Sequence, residues 1–230
     1  MTNAIQTAAR TALLSLTLLT LSVAALAFDE GVHYERIGSP VDAPTDRVEV
    51  VEAFAYPCPA CYNFHPIIER WVAEAPDHVQ FSRLPIGLQR GWDMFALAYY
   101  TADVMSVDDA AHGAVFRAIH DERRRIRNFE DIAAIYADFG VDAADFVATA
   151  ESFAVDARMR RNRADVTRFG IRQTPTMVVQ GKWRVVPGAF NSYQEMLQAV
   201  DFLVAREAEL LASQVDEGET VAEQDPVDSE

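Results

Sequence analysis

Cys58 and Cys61 are the only two cysteines in this 230-residue chain, and the spacing Cys58-Pro59-Ala60-Cys61 sets their sulfurs one helical turn apart. Thiols so placed can close a small, reversible disulfide ring. No third or fourth cysteine is present to complete a structural zinc site, and the chemistry calls for neither metal nor cofactor. The alternative use is a static cross-link, but so short a loop stabilises little.

Which thiol reacts depends on the elements that hold them. Arg47–Ala55 is apolar and β-branched and reads as a buried strand that runs straight into the motif. A helical pattern follows from Pro59 to about Ala75. Pro59 suits a first helical turn, where its missing N–H has no intrahelical partner, while Pro66 should kink the helix. Cys58 then lies at a helix N-terminus, where unpaired N–H groups and the dipole favour an anion and lower a thiol pKa. Cys61, one turn inside, is expected to be more buried and nearer its ordinary protonation state. Cys58 is therefore the reactive thiol and Cys61 the resolving one. A stabilised thiolate favours the dithiol form, which makes the disulfide an oxidant.

Glu52 lies six residues before Cys58, amid Val50, Val51, Ala53 and Phe54. Period-two alternation puts it on the face of Val50 and Phe54, so its carboxyl should be buried, raised in pKa and able to relay a proton to or from Cys61. The alternative is a solvated charge on an edge strand.

Downstream, His78–Pro85 reads as a second strand, and the crossover between the two favours parallel pairing. Residues 91–169 are Ala-rich and helical in period, divided by turn signals at Arg127-Asn128 and Phe139-Gly140. Strand character returns at Thr176–Gln180. Gly181-Lys182 is a tight-turn dipeptide, and Trp183–Val186 pairs back as a hairpin. A final amphipathic helix is expected from Ser192, its N-cap, to about Leu211, with Glu195 completing a capping box. The fold class is α/β, an α/β domain split by an all-helical insertion. Thr174-Pro175 opens the third strand, and the sequence alone does not say whether that bond is cis.

Residues 1–27 carry one charge, Arg10, then an apolar run ending Ala25-Leu26-Ala27, which reads as a signal peptide cleaved after Ala27. The alternative, an uncleaved anchor, needs about 20 apolar residues, and this run is shorter and thinned by Ser and Thr. In a bacterium the mature protein would be periplasmic, where disulfides persist. The net charge of −15, or −16 once Arg10 is removed, argues against nucleic acid as a partner. Seven of the carboxylates fall in residues 214–230, which read as a disordered acidic tail.

The remaining candidates have plainer readings. His65 reads as a helix-surface residue, and His112 and His120 as structural or exposed residues without metal-ligand companions. Arg123–Arg127 and Arg158–Arg163 read as solvated helix faces paired with acidic neighbours. Trp92, Phe95, Tyr99, Phe116 and Tyr136 read as helix-core aromatics, some of which could line an apolar groove beside the cysteines.

Glu52, the Cys58-Pro59-Ala60-Cys61 motif, the long helical stretch and Thr174-Pro175-Thr176-Met-Val-Val-Gln-Gly-Lys182 together resemble the DsbA-type periplasmic thiol:disulfide oxidoreductases of the thioredoxin superfamily, from roughly Val32 to Leu211. The resemblance implies a thioredoxin fold in two pieces, 28–90 and 166–213, with a helical domain, 91–165, inserted between its β-α-β half and its β-hairpin-α half. It implies a cis Thr174-Pro175 packed against the disulfide, with both residues positioning an extended substrate segment. Glu52 would match the family's buried acid, and Pro66 its helix kink. Reduced exported proteins would be the substrates, a DsbB-like inner-membrane protein the reoxidant, and the enzyme a monomer. One departure stands inside the motif: well-known members have Cys-Pro-His-Cys, and here the third position is Ala60. Pro59 and Ala60 are thus the redox-tuning pair, and without the imidazole Cys58 should be less acidic and the protein a milder oxidant. A reductase or isomerase, a client-specific oxidase, and a non-enzymatic chaperone with an incidental disulfide are the competing readings.

Overall fold

In the computed structural model, which describes residues 28–38 and 46–222, the strand leading to the motif is central rather than marginal. The elements in chain order are β1 (Tyr34–Arg36), β2 (Val48–Phe54), α1 (Pro59–Glu74), β3 (Val79–Pro85), α2 (Asp93–Val104), α3 (Asp108–His120), α4 (Phe129–Tyr136), α5 (Ala143–Ala150), α6 (Phe153–Arg168), β4 (Thr176–Val179), β5 (Trp183–Val185) and α7 (Tyr193–Ala222). The strands form one sheet in the order β1-β5-β4-β2-β3. β2 runs parallel to β3 and antiparallel to β4, and β4 and β5 form the expected hairpin.

β2 is buried on both faces because its alternating residues meet different layers. Val48 and Val50 pack with Phe64 and Ile68 of α1 and with Leu197, Val200 and Leu203 of α7. Val51 and Ala53 face the other way, onto Leu84, Phe169, Ile171 and Val178, with Val166 of α6 packed against them. Fully burying a side chain the size of Ile68 or Leu203 contributes roughly 1.5–3 kcal/mol, so this sandwich is the main device holding β2 in register. α1 passes through Pro66 without interruption of its helical assignment.

Three of the inserted helices, α4, α5 and α6, start where the sequence supplies side-chain caps. Asn128 accepts from the Asp131 N–H at 3.0 Å, Asp142 from Ala144 at 2.8 Å, and Ser152 from Val155 at 3.3 Å. Gly140, at φ 79°, adopts the left-handed turn that ends the short 3₁₀ segment after α4.

Several boundaries differ from expectation. The hairpin turn centres on Gln180 and Gly181, at φ 52° and 58°, one residue earlier than Gly181-Lys182. Gln180 tolerates this because its backbone N–H and side-chain oxygen are both tied to the Glu49 backbone, at 2.7 and 2.8 Å. β1 lies outside the strands that the sequence pattern predicts, because three residues are too few to carry a strand signal. Ser192 caps α7 as expected, but the Glu195 carboxylate accepts from the Asn191 N–H, at 2.8 Å, rather than from that of Ser192. α7 runs on to Ala222 rather than stopping near Leu211, so the first part of the acidic tail is helical. Residues 1–27, with the signal-peptide reading, and 223–230 lie outside the described residues. The expected boundary at 165/166 falls inside α6: Val155 and Met159 pack on Ala96 of α2, while Val166 packs on the sheet.

Candidate active site

The chain leaves β2 through Ala55-Tyr56-Pro57 and turns so that the Cys58 N–H donates to the Ala55 carbonyl at 3.0 Å. Cys58 is the N-cap of α1, extended at φ −82° and ψ 115°, and Pro59 is its first helical residue. Both cysteines are free thiols. Cys61 is fully buried, whereas Cys58 retains 8% exposure, so only Cys58 offers its sulfur to an incoming group.

The electrostatics divide the pair as the helix position predicts, with one refinement. The Cys58 thiol is lowered from 9.0 to about 5, first by a hydrogen bond from the Cys61 thiol, then by the Thr174 side chain and the backbone N–H groups of Cys61 and Ala60, against the cost of burial. The helix N-terminus contributes, but the neighbouring thiol contributes more. Among the described residues, none of these leading influences on Cys58 comes from an imidazole. Burial, then the adjacent Cys58, pushes the Cys61 thiol far up.

Thr174 and Pro175 reach the cysteines because β4 pairs with β2. Ala53 is in register with Thr176, which sets the residues just before β4 beside the start of α1. The Thr176 hydroxyl donates to the Gln173 carbonyl at 2.8 Å and closes the approach loop. The Thr174-Pro175 peptide is cis, and the Thr174 carbonyl lies 3.5 Å from Cys58 Sγ, within reach of the thiol proton. The thiolate gives up that contact and keeps its donors. The Ala60 carbonyl accepts from the Tyr193 hydroxyl at 3.0 Å, tying the middle of the motif to the first turn of α7.

Glu52 is buried at 2% exposure on a strand flanked on both sides, which removes the edge-strand reading. Its register partner in β3 is Arg83, whose Nε lies 3.3 Å from Glu52 Oε2 and whose other arm is held by Glu69. Burial raises the Glu52 carboxyl to about 7, even though Arg83 pulls it down. Among the described residues its hydrogen bond goes to Arg83, and none joins it to Cys61.

Histidines carry more of the site than expected. His112 is buried, with Nδ1 2.9 Å from the Tyr56 hydroxyl. His120 places Nε2 2.8 Å from the Tyr56 carbonyl and stacks on Tyr62, whose hydroxyl donates to Asp121 at 2.6 Å. His65 is half-buried rather than on the surface, and a ligand atom from each of His65, Glu69 and His112 lies within 4.8 Å of the others. His112 thus has companions that local sequence could not reveal, since they lie on α1, more than forty residues upstream. The cysteines share a core with Phe95, Phe116 and Tyr136, and Trp92 and Tyr99 pack against it, so the inserted helices build the floor of the site. The arginine runs do pair with acids, Arg124 with Glu122, Arg158 with Asp103 and Arg160 with Asp156.

Residues 49–200 match the model of the DSBA-like thioredoxin domain. The thiol:disulfide interchange protein DsbA of Pseudomonas aeruginosa is 35% identical over 181 residues, 78% of this chain and 86% of that protein. The crystal structure of the oxidoreductase DsbA from Xylella fastidiosa superposes with a TM-score of 0.73 at 35% identity, covering 78% of this chain and 97% of that one. A Proteus DsbA, solved with a non-covalently bound peptide, superposes with a TM-score of 0.67 at 26% identity over 81% of this chain and 99% of that one.

Proposed function

This chain belongs to the DSBA-like thioredoxin family and is a thiol:disulfide oxidoreductase, and from that premise we propose that it donates the Cys58–Cys61 disulfide to newly exported proteins. The observation that carries the direction of electron flow is the lowered Cys58 thiol beside a raised Cys61 thiol. Whatever stabilises the thiolate stabilises the dithiol state, and so drives the disulfide to accept electrons.

In the forward step a substrate thiolate attacks Cys58 Sγ, the S–S bond breaks, and Cys61 leaves with the electron pair. Cys61 holds its proton strongly, so it must be protonated as it leaves. Glu52, poised near neutrality, is the group we assign to supply that proton, through solvent. The substrate's second thiolate then attacks its own sulfur in the mixed disulfide and expels the Cys58 thiolate. The two electrons end in the enzyme dithiol and the substrate holds the disulfide.

Thr174 and Pro175 serve in this reading as the edge on which an extended substrate segment lies, as peptide binding to the Proteus relative supports. The leader at 1–27 supports export to the periplasm, and no helix among the described residues is long and apolar enough to cross a membrane. A DsbB-like membrane protein would restore the disulfide, and the enzyme would act as a monomer whose thioredoxin-like domain, 28–90 and 166–213, is discontinuous around the inserted helical part, 91–165, with α6 continuous across the second junction.

Mixing the oxidised protein with a reduced, unfolded test protein checks the function: disulfides should appear in the test protein, and Cys58→Ser should abolish transfer. Equilibration against glutathione separates oxidant from reductant. A disulfide that persists in excess reduced glutathione would overturn the donor reading.

A further inference from the structure

We propose that His65, Glu69 and His112 form a binding site for a divalent cation of the zinc type, bridging α1 and α3. One ligand atom from each lies within 4.8 Å of the other two. His65 and Glu69 are spaced i, i+4 on one face of α1, the spacing that lets two side chains close on one ion, and His112 enters from the helix packed across it. Imidazole nitrogen and carboxylate oxygen suit zinc, with bonds of about 2.0–2.2 Å and therefore tetrahedral ligand separations of about 3.3–3.6 Å. Small rotations of the half-exposed Glu69 side chain would close the set.

Two further observations point to a ligand. His65 Nδ1 is buried and has no hydrogen-bond partner among the described residues, although Glu69 Oε1 stands 3.5 Å away. A cation between them would satisfy both. The Tyr56 hydroxyl is bonded to Nδ1 of His112, which leaves Nε2 available; a metal-ligating histidine is commonly oriented through its other nitrogen in this way. Glu69 also faces an acidic groove. Glu69 and Arg83 line a groove of about 720 Å³ whose walls also carry Asp77, Asp103, Asp108 and Asp109, a field that concentrates cations. Opposing this, Arg83 already holds Glu69, and Arg117 approaches His65 across Gly113. The site must draw Glu69 partly away from Arg83, which retains Glu52, so affinity should be micromolar rather than that of a structural zinc centre.

The test uses the full chain in its disulfide form, because reduced Cys58 and Cys61 would bind zinc themselves. Calorimetric titration with ZnCl₂ should give one ion per chain. His65→Asn and Glu69→Gln should each weaken binding by about tenfold or more, as should His112→Gln if it folds. Co²⁺ should give a visible d–d absorption band that Zn²⁺ displaces. Absence of saturable binding at millimolar zinc overturns the proposal. So does affinity unchanged in His65→Asn and Glu69→Gln, and so does loss in Asp108→Asn alone, which would place the ion in the groove instead.

Discussion

His120 Nε2 lies 2.8 Å from the Tyr56 carbonyl, and the same ring stacks on Tyr62, so one residue of the inserted helices grips the chain on both sides of Cys58. The contact spans 64 residues of sequence and joins the end of α3 to the turn that presents the nucleophile. His120→Ala removes the partner of a partly buried carbonyl, which costs about 1–2 kcal/mol. The thermal midpoint should fall by several degrees. An unchanged midpoint would mean the anchor contributes nothing.

The acidity of Cys58 sets a second expectation. In the reduced protein the rate of alkylation by iodoacetamide should titrate with a midpoint of about 5. The sign for stability follows: because the folded pKa lies below the unfolded value, the contribution is fully present above pH 9 and is lost as pH falls through about 5. Unfolding of the reduced protein, compared with Cys58→Ser, should show the difference shrinking toward acid. An alkylation midpoint near 9 would refute the assignment.

Glu52 works in the opposite sense. Its carboxyl is raised from 4.5 to about 7, so its contribution is full below pH 4.5 and lost as pH rises through about 7. Glu52→Gln should therefore stabilise the protein at pH 8, by on the order of 3 kcal/mol, and have no such effect at pH 4. If the carboxyl also delivers the proton to Cys61, the same variant slows disulfide transfer near neutrality. Denaturant titrations at the two pH values, with transfer rates alongside, separate the stability effect from the kinetic one.

Thr174→Val deletes one of the groups that stabilise the Cys58 thiolate while keeping side-chain volume. The alkylation midpoint should rise, by less than the whole shift, because Cys61 and two backbone N–H groups remain. A midpoint that does not move would assign the thiolate entirely to the helix terminus and Cys61.

Ala60→His adds the imidazole that this motif lacks. Its backbone N–H already faces Cys58 and its carbonyl is held by Tyr193, so the new ring would sit on a fixed backbone. The alkylation midpoint should drop below 5 and the glutathione equilibrium should move toward a stronger oxidant. No change in either would remove position 60 from redox tuning.

The sequence exposed those parts of the site that depend on neighbours along the chain. Cys58 at a helix start, Pro59 in the first turn and Glu52 on the inner face of β2 all follow from local pattern, and each stands where that pattern puts it. Tyr56, His112 and His120 were illegible because their meaning arises only when α3 packs on α1. The largest influence on Cys58 is hidden from the sequence for a different reason. Helix position is visible in a sequence, whereas the thiol-to-thiol hydrogen bond is a matter of side-chain geometry. The turn at Gln180 shifted by one residue because tertiary bonds to Glu49 outweigh the preference for glycine at a positive φ.

α6 carries a consequence for how such a molecule could be taken apart. Its first turns belong to the inserted helices and its last to the sheet, on a single continuous rod. The helical portion is therefore not a detachable cassette. Cutting at either side of residue 165 would strip a hydrophobic lid from Val51, Ala53 and Val178, and leave the cysteine-bearing half as an unfinished sheet. The two portions share one structural member, so the helices that floor the active site cannot be exchanged without rebuilding the strand layer that aims its nucleophile.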